Sequence, residues 1–415
     1  MKGWAHRRLW QRLPQHSRRR ILYRVAGTLA PRPGPRPARA VEPIYVAGAL
    51  TTASGLGQGA RLCLETLGAA GWDVRGIDLS AALMQDARIA DYAVPGTGAA
   101  AGPGTIILHV SGFTTALALL HLGRRRLAGK TIIGYWAWEL PDLPPDWVAG
   151  LDYLHEVWVP SRFTAAAVQR HTRLPVRVVP HPVPAVPADA PAADARALTV
   201  LVAFDMRSGF ARKNPLAAIA AFRQAFGDDP EVRLIVKVSQ ADAHPPGWAA
   251  LQQAVAGAGN ITLHNGVLDA AGMARLLESA DIVLSLHRAE GFGLVLAEAM
   301  QHGKPVVATG WSGNTDFLSA QNGCPVACRL VPAEDPQGSY HYPGQLWAEP
   351  DVADAARQLA ALRDPARRQL LGRKARADAR RFFSPEQFRA TVAEALDLRR
   401  NPGPGGQVGT LTARI

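Results

Sequence analysis

The sequence has few cysteines, and it lacks a long apolar stretch that is also free of polar groups. Three cysteines in 415 residues are too few for a disulfide framework, and neither a fourth cysteine nor clustered histidines complete a metal site. We therefore expect core thiols in a reducing compartment and no bound metal. The uncharged segment from Gly104 to Gly123 contains two histidines and several hydroxyl groups, so it predicts a strand, a turn and a buried helix instead of a membrane span.

Acidic residues are absent from the first 41 positions, which hold eleven of the 46 lysines and arginines. The other 35 basic residues nearly balance the 34 acidic ones, so the net charge of +12 belongs to this segment. Residues 1–40 are predicted to be a basic tail that either forms an interfacial helix on an anionic membrane or is disordered. No basic or aromatic platform continues into the body, which argues against nucleic-acid binding. Arg24 interrupts the apolar stretch near the start, and we expect no signal peptide.

The length predicts two domains, and short apolar runs that alternate with helical periodicity indicate α/β domains with parallel sheets. A Pro- and Ala-rich stretch at 185–196 predicts the linker. It separates a first domain at 41–184 from a second at 197–384. The Gly-rich residues 403–415 predict a flexible tail.

The most informative stretch is 281–317. Ile282 to Leu286 predicts a buried strand and Leu294 to Met300 predicts a helix, with a glycine-containing turn at 290–293 between them. Such turns at the carboxyl ends of parallel strands bind ligands, and glycines followed by a helix N-terminus favour a diphosphate. Glu298 tilts back toward the turn, so both it and the turn carboxylate are expected in one pocket, one for sugar hydroxyls and one for a ribose.

Two other loops are candidates for ligand contacts. The strand from Pro305 to Thr309 is followed by a small-residue loop whose N–H groups could hold phosphate. In the first domain, three glycines from Gly55 precede a predicted helix, and Asp78 follows the next strand. This order also occurs in dinucleotide sites, so an NAD-dependent oxidoreductase is an alternative function, although the glycine spacing does not match G-x-G-x-x-G.

The sequence EGFGLVLAEAM followed by GKPVVAT resembles the E-x7-E motif of the family 4 retaining glycosyltransferases. These enzymes have the GT-B fold, in which two Rossmann-like, doubly wound α/β domains face an interdomain cleft. The spacing of Glu290 and Glu298, the glycines, the following strand and the later loop all agree with the family. The resemblance is strong over residues 198–380 and looser over 44–184. It implies transfer of a sugar from a nucleotide sugar to an acceptor hydroxyl, with retention and with no metal or cofactor.

The resemblance also implies roles for individual residues. Lys213 and one of two competing arginines, Arg207 or Arg212, would neutralise the donor diphosphate. Glu290 and the backbone at 292–293 would hold sugar hydroxyls. The implied donor-binding set is Gly291, Phe292, Gly293, Leu294, Glu298, Gly313, Asn314 and Thr315.

Further candidates lie in the first domain. His109, near the end of a strand, either contacts the transferred sugar or acceptor or is structural. Glu139 lies among three tryptophans that could stack on sugars or fill a core, and we assign it to the acceptor side or to the catalytic site. Gly55 and Gly57 form the first-domain loop that would face the cleft.

The expected partners are a nucleotide-sugar donor and a glycan or lipid-linked acceptor, in polysaccharide or glycolipid assembly. We expect a cytoplasmic protein, with peripheral membrane contact through the tail left open, and the family implies that residues 385–402 cross back onto the first domain. A nucleotide-sugar epimerase of the same fold and a silent sugar-binding protein are further alternatives. The intact set of Glu290, Glu298 and Lys213 argues against a silent protein.

Overall fold

The structure, a computed structural model, describes residues 23, 25–37, 41–85, 89, 92–96, 101–186 and 197–396. Within this part of the chain, two six-stranded parallel sheets and one antiparallel strand pair are present. Helices flank each parallel sheet, so the predicted α/β fold with two doubly wound domains is confirmed. None of the described helices is both long and apolar enough to cross a membrane.

The first sheet is built from short strands that are largely buried, as their apolar sequences predict. Its strands are β1 (Ile44–Gly48), β2 (Val74–Asp78), β3 (Gly104–His109), β4 (Lys130–Tyr135), β5 (Glu156–Val159) and β6 (Val176–Val178). Their spatial order is β2-β1-β3-β4-β5-β6. Helices of this domain include α1 (Gly55–Ala69), α2 (Thr115–Leu127), α3 (Pro145–Val148) and α4 (Arg162–Gln169).

The second sheet repeats this arrangement. Its strands are β7 (Leu198–Asp205), β8 (Val232–Ser239), β9 (Ile261–Asn265), β10 (Ile282–Ser285), β11 (Val306–Thr309) and β12 (Cys324–Val326), in the order β12-β11-β10-β7-β8-β9. Strand order reverses between β7 and β10, and open α/β sheets bind ligands at such a point. Its helices are α5 (Phe210–Lys213), α6 (Pro215–Phe226), α7 (Pro245–Val255), α8 (Ala270–Ser279) and α9 (Leu294–Gln301).

The end of the chain returns to the first domain. After the antiparallel pair β13 (Cys328–Pro332) and β14 (Leu346–Pro350) come α10 (Val352–Ala361), α11 (Pro365–Phe382) and α12 (Pro385–Ala395). Phe388 and Val392 of α12 pack with Ile44 and Ile107 of the first sheet. The remainder of the predicted crossing, 397–402, lies outside the described residues, as do 187–196 of the linker and the tail at 403–415.

Part of the predicted tail belongs to the folded first domain. Ala26 and Ala30 are buried in the core that contains Leu119 and Leu122 of α2. The Tyr153 hydroxyl donates to Gly27 O at 2.5 Å, and Arg36 forms an ion pair with the buried Glu156 at 2.6 Å. Residues 25–37 are therefore anchored by packing and hydrogen bonds, whereas 1–22, 24 and 38–40 lie outside the described residues.

Serine side chains cap the starts of two first-domain helices. The Ser161 side chain accepts a hydrogen bond from Thr164 N, so Ser161 is the N-cap of α4. Helix α1 begins at Gly55, because Ser54 is its N-cap and accepts from Gly57 N. Gly55 and Gly57 therefore lie in the first helical turn and not in a loop ahead of it.

Candidate functional site

Hydrogen bonds with Ser312, Gly313 and Ser161 fix the turn after β10. Glu290 N donates to Ser312 Oγ at 2.9 Å, and Gly313 N donates to Glu290 O at 2.9 Å. Gly291 O accepts a 2.6 Å hydrogen bond from Ser161 Oγ of the first domain. Gly293 has a φ of 98°, which favours glycine, and is the N-cap of α9. The turn therefore has a fixed backbone in which Glu290 precedes a helix N-terminus.

A cluster of four charged side chains lies at this turn, between the ends of β7 and β10. Lys213 Nζ donates to Glu290 Oε1. Arg212 Nη1 lies 3.4 Å from the same oxygen, and Arg212 Nη2 lies 3.8 Å from Glu139 Oε1 in the first domain. The structure thus brings together three residues of the second domain and one of the first.

Burial and charge act in opposite directions on the two carboxylates. Burial would raise the pKa of Glu290, but Lys213 and Arg212 outweigh it and lower that pKa to about 2. At Glu139 burial dominates, so its pKa is raised despite the nearby Arg212. Glu290 is therefore a carboxylate at neutral pH, and the two cations provide N–H donors for an anion.

The two competing arginines occupy different places. Arg212 is 3% exposed and is fixed by hydrogen bonds from Nε to Ser208 O and from Nη1 to Ala289 O. Arg207 instead pairs with Asp205 at 2.9 Å and donates to Ala53 O of the first domain at 3.0 Å. Arg212, and not Arg207, joins Lys213 beside Glu290.

His109 is completely enclosed. It is 1% exposed, its ring stacks on Tyr135 with centroids 4.3 Å apart, and its Nε2 has no hydrogen-bond partner among the described residues. Burial lowers its pKa well below the usual value, so the ring is neutral. Tyr135 contacts His181, which packs edge-on against Phe292. His109 is thus connected to the turn through two rings, and its contact with a sugar stays a prediction.

Glu298 lies in the second turn of α9, as its spacing predicted. Its carboxylate has no hydrogen-bond or ion-pair partner in the described part of the chain, and burial raises its pKa to about 7. Leu294, the first residue of α9, and Phe292 belong to one apolar core. Glu298 is therefore able to accept hydrogen bonds from a ligand.

The loop after β11 braces the turn. Besides the bond from Gly313 N to Glu290 O, Thr315 N donates to Ser312 O, so neither of these two N–H groups is free for a phosphate. The Asn314 amide donates to Thr309 O at 2.9 Å, and its oxygen is 3.1 Å from His287 Nε2. Phosphate contacts of Gly313 and Thr315 stay a prediction, and internal hydrogen bonds already use both of these backbone donors.

The first-domain loop meets the second domain at Ala53, whose carbonyl accepts from Arg207. A Cβ at Gly57 would lie 2.6 Å from Ala49 O, so this glycine permits close packing of the loop, whereas Gly55 faces open space. Asp78, the residue that would bind a ribose in a dinucleotide site, accepts hydrogen bonds from Thr51 Oγ1 and from Ser80 Oγ. These bonds fix the loop after β1.

The tryptophans near Glu139 fill the core. Trp136, Trp138 and Trp147 are each at most 4% exposed and pack on one another. Tyr340, from the loop between β13 and β14, packs on Trp138 with centroids 5.7 Å apart. The Arg212 guanidinium lies 5.3 Å from the centre of the Tyr340 ring.

Sequence reasoning missed several residues that build the site. Ser312 Oγ accepts from Glu290 N, His287 contacts Asn314, and the ring of Tyr340 packs on Arg212. Ser161, which donates to Gly291 O, was not predicted as a site residue. A single histidine after β10 and a serine in a small-residue loop are weak signals in a sequence, and the ring of Tyr340 comes from a distant loop. The described residues contain no group of three or more His, Cys, Asp or Glu side chains that could hold a metal ion.

Several solved structures share this fold at low sequence identity. TarM from S. aureus, in complex with Fondaparinux, alpha-GlcNAc-glycerol and UDP, is 14% identical with a TM-score of 0.54 over 71% of this chain and 55% of its own. HepE from Anabaena with UDP and glucose is 13% identical, with a TM-score of 0.59 over 85% and 99%. A glycosyltransferase from Rickettsia africae is 12% identical, with a TM-score of 0.59 over 87% and 98%. The chain spans about half the length of TarM, and these likenesses show the GT-B fold.

Sequence comparison identifies the family. No curated protein matches the chain. A family model described as "Family 4 Glycosyltransferase in conflict systems" matches residues 160–381, which include β7 to β12 and the three second-domain residues of the charged cluster, Arg212, Lys213 and Glu290. Because the match covers more than half of the sequence, the chain belongs to the family 4 glycosyltransferases, in the group found in conflict systems.

Proposed function

We propose that this glycosyltransferase moves a hexose or related sugar from a nucleotide sugar to an acceptor hydroxyl with retention at the anomeric carbon. The observation that supports this most is the position of Lys213, Arg212 and Glu290 at the point where strand order reverses, beside the N-terminus of α9. An anionic leaving group and a sugar with several hydroxyls both find complementary groups there.

Each residue has a separate part in the proposed reaction. Lys213 and Arg212 neutralise the departing diphosphate, and the α9 N-terminus adds backbone donors. Glu290, held as a carboxylate, accepts hydrogen bonds from sugar hydroxyls, while Glu298 accepts from the ribose. The acceptor oxygen attacks from the face that the diphosphate leaves, and the leaving phosphate takes the acceptor's proton. We propose no metal or other cofactor in these steps.

The donor is proposed from the neighbours. TarM and HepE are each described with UDP, so UDP-glucose and UDP-N-acetylglucosamine are the first donors to try, with GDP-mannose as comparison. Donor hydrolysis is followed by anion-exchange chromatography of the released nucleotide, and proton NMR reports the anomer of the released sugar. We expect free nucleoside diphosphate and a sugar of unchanged anomeric configuration.

The matched variants are Lys213→Met and Lys374→Met. Lys374 is exposed on α11, far along the chain from the cluster. Lys213→Met is expected to reduce turnover about 100-fold or more, as does the loss of one hydrogen-bond donor that stabilises a transition state. Lys374→Met is expected to leave turnover unaltered. Equal turnover by both variants, or release of the opposite anomer, would contradict the proposal.

We further propose a glycan or lipid-linked acceptor, in polysaccharide or glycolipid assembly, for a cytoplasmic protein that contacts the membrane through its N-terminal segment. The basic residues before Glu42 support this, as do the exposed Val25 and Leu29 on the packed segment. Deletion of residues 1–22 leaves the packed residues in place. It should abolish sedimentation with phosphatidylglycerol vesicles, and unchanged sedimentation would refute the membrane contact.

A further inference from the structure

Lys237 is a buried lysine near the carboxyl end of β8. Only 7% of the residue is exposed. Its ammonium donates to the Oγ of Ser239, two residues nearer the edge of the sheet, so the side chain leans along the strand toward that edge. Ser239 Oγ in turn is 3.4 Å from Gly266 O, in the segment that follows β9.

The charge of Lys237 has no ion-pair partner among the described residues. The negative charge of Asp205, on the neighbouring strand, attracts the Lys237 ammonium, but Asp205 forms its ion pair with Arg207, at 2.9 Å. A buried ammonium is costly unless acceptors surround it, and its three N–H donors exceed the one acceptor that Ser239 provides. Lys237 therefore retains hydrogen-bonding capacity that a ligand could use.

The position of Lys237 relative to the residues proposed to bind the diphosphate indicates which part of the nucleotide it would contact. β8 lies beside β7, on the side away from β10, so its end is about 10 Å from the end of β10 by two strand spacings. On the opposite side, the loop after β11 is covered by the first domain, where Trp311 packs on Phe163 and Asp316 binds Arg162. A nucleoside attached to the diphosphate therefore extends toward β8 and β9.

The surface there suits a base. His264, in register with Lys237 on β9, is exposed, and Val267 is 48% exposed. We propose that Lys237, oriented by Ser239, donates a hydrogen bond to a ring carbonyl of the nucleotide base. The protein would then select uracil or guanine over cytosine or adenine, which present an amino group at the equivalent position. This inference rests on the proposed function, because it uses the same donor site.

Calorimetric titration with UDP, CDP, GDP and ADP tests the proposal on the full chain. UDP and CDP differ at C4, which has a carbonyl in uracil and an amino group in cytosine, and at the adjacent N3, which has a proton only in uracil. GDP and ADP provide a purine comparison. We expect wild type to bind UDP about tenfold more tightly than CDP, as for one hydrogen bond to a charged group. Lys237→Met should remove this preference by weakening UDP alone, and Lys374→Met should retain it.

The outcomes separate the two claims. An unchanged ratio of UDP to CDP affinity in a folded Lys237→Met protein overturns this inference and leaves the proposed function standing. If wild type binds none of the four nucleotides, the proposed function fails and the inference fails with it. Should Lys237→Met not fold, Ser239→Ala decides the matter, because an ammonium without its orienting hydroxyl should show a reduced preference, and an unreduced one overturns the inference.

Discussion

At the scale of single residues, the surroundings of Glu290 and Glu298 shift the pKa values of these two carboxyl groups in opposite directions. Glu290 touches two cations and has its pKa lowered to about 2, whereas Glu298 has no such partner and burial raises its pKa to about 7. One fold therefore holds one permanently ionised acid and one that titrates near neutral pH.

The pKa of Glu298 predicts how stability depends on pH. Because the folded-state pKa lies above the unfolded value of 4.5, the native state binds more protons between about pH 4.5 and 7. The contribution of Glu298 to the free energy of unfolding is therefore fully present below pH 4.5 and is lost as pH rises through 7. As pH rises from about 4.5 to 7, urea unfolding should show a smaller decrease in the free energy of unfolding for Glu298→Gln than for wild type.

Ionisation of Glu298 should lower stability but should strengthen nucleotide binding. The ionised carboxylate is the better acceptor for ribose hydroxyls, so affinity should rise between pH 6 and 8 in wild type. Glu298→Gln should flatten this rise in calorimetric titrations with UDP. An identical pH profile for the two proteins would show that Glu298 does not contact the nucleotide.

At the scale of elements, the turn at 290–293 and the loop at 310–316 are built as one unit. A Cβ at Gly313 would lie 2.2 Å from Gly291 O, a distance that neither backbone can accept without movement. The close approach allows Gly313 N to bond to Glu290 O and so fixes the backbone of Glu290 ahead of α9.

Gly313→Ala should therefore destabilise the protein by about 1–3 kcal/mol through overpacking and also lower turnover, since it displaces Glu290. Gly68→Ala is the matched control. This glycine lies within α1 with no atom within 4 Å of an added Cβ, so the change should leave turnover unaltered and raise stability by up to about 1 kcal/mol. Urea unfolding and donor hydrolysis measure both quantities, and a neutral Gly313→Ala would contradict the packing argument.

The loop between β13 and β14 contributes through Tyr340. Its ring contacts both the Arg212 guanidinium and the Trp138 ring. Tyr340→Ala should cost about 2–4 kcal/mol because a buried ring is lost, whereas Tyr340→Phe keeps the ring and should cost no more than about 1.5 kcal/mol. Equal losses in urea unfolding would mean that the hydroxyl, and not the ring, supports Arg212.

At the scale of the whole molecule, the two domains are joined at the site itself. Ser161 Oγ donates to Gly291 O, Gln345 Nε2 donates to Asp142 O, and Glu139 lies beside Arg212. Movement of one domain relative to the other would therefore break hydrogen bonds to the turn that contains Glu290. The geometry of the site therefore depends on the relative position of the two domains.

The sequence predicted what depends on local pattern. The strands and the helix after Gly293 follow from hydrophobic periodicity, and the matched spacing of Glu290 and Glu298 indicated the family. It could not predict which arginine joins Lys213, because that depends on how the turn at 206–209 directs each side chain. The bond from Ser161 to Gly291 joins residues 130 positions apart, and the burial of His109 depends on rings from three segments.

The central claim is that the donor diphosphate binds at the carboxyl edge of the second sheet. A crystal structure of the protein with UDP tests it most directly. We predict that the phosphates lie within hydrogen-bonding distance of Lys213 Nζ and the backbone at Gly293, with the ribose toward Glu298. UDP bound instead at the first sheet, beside Gly55 and Asp78, would contradict this account of the site.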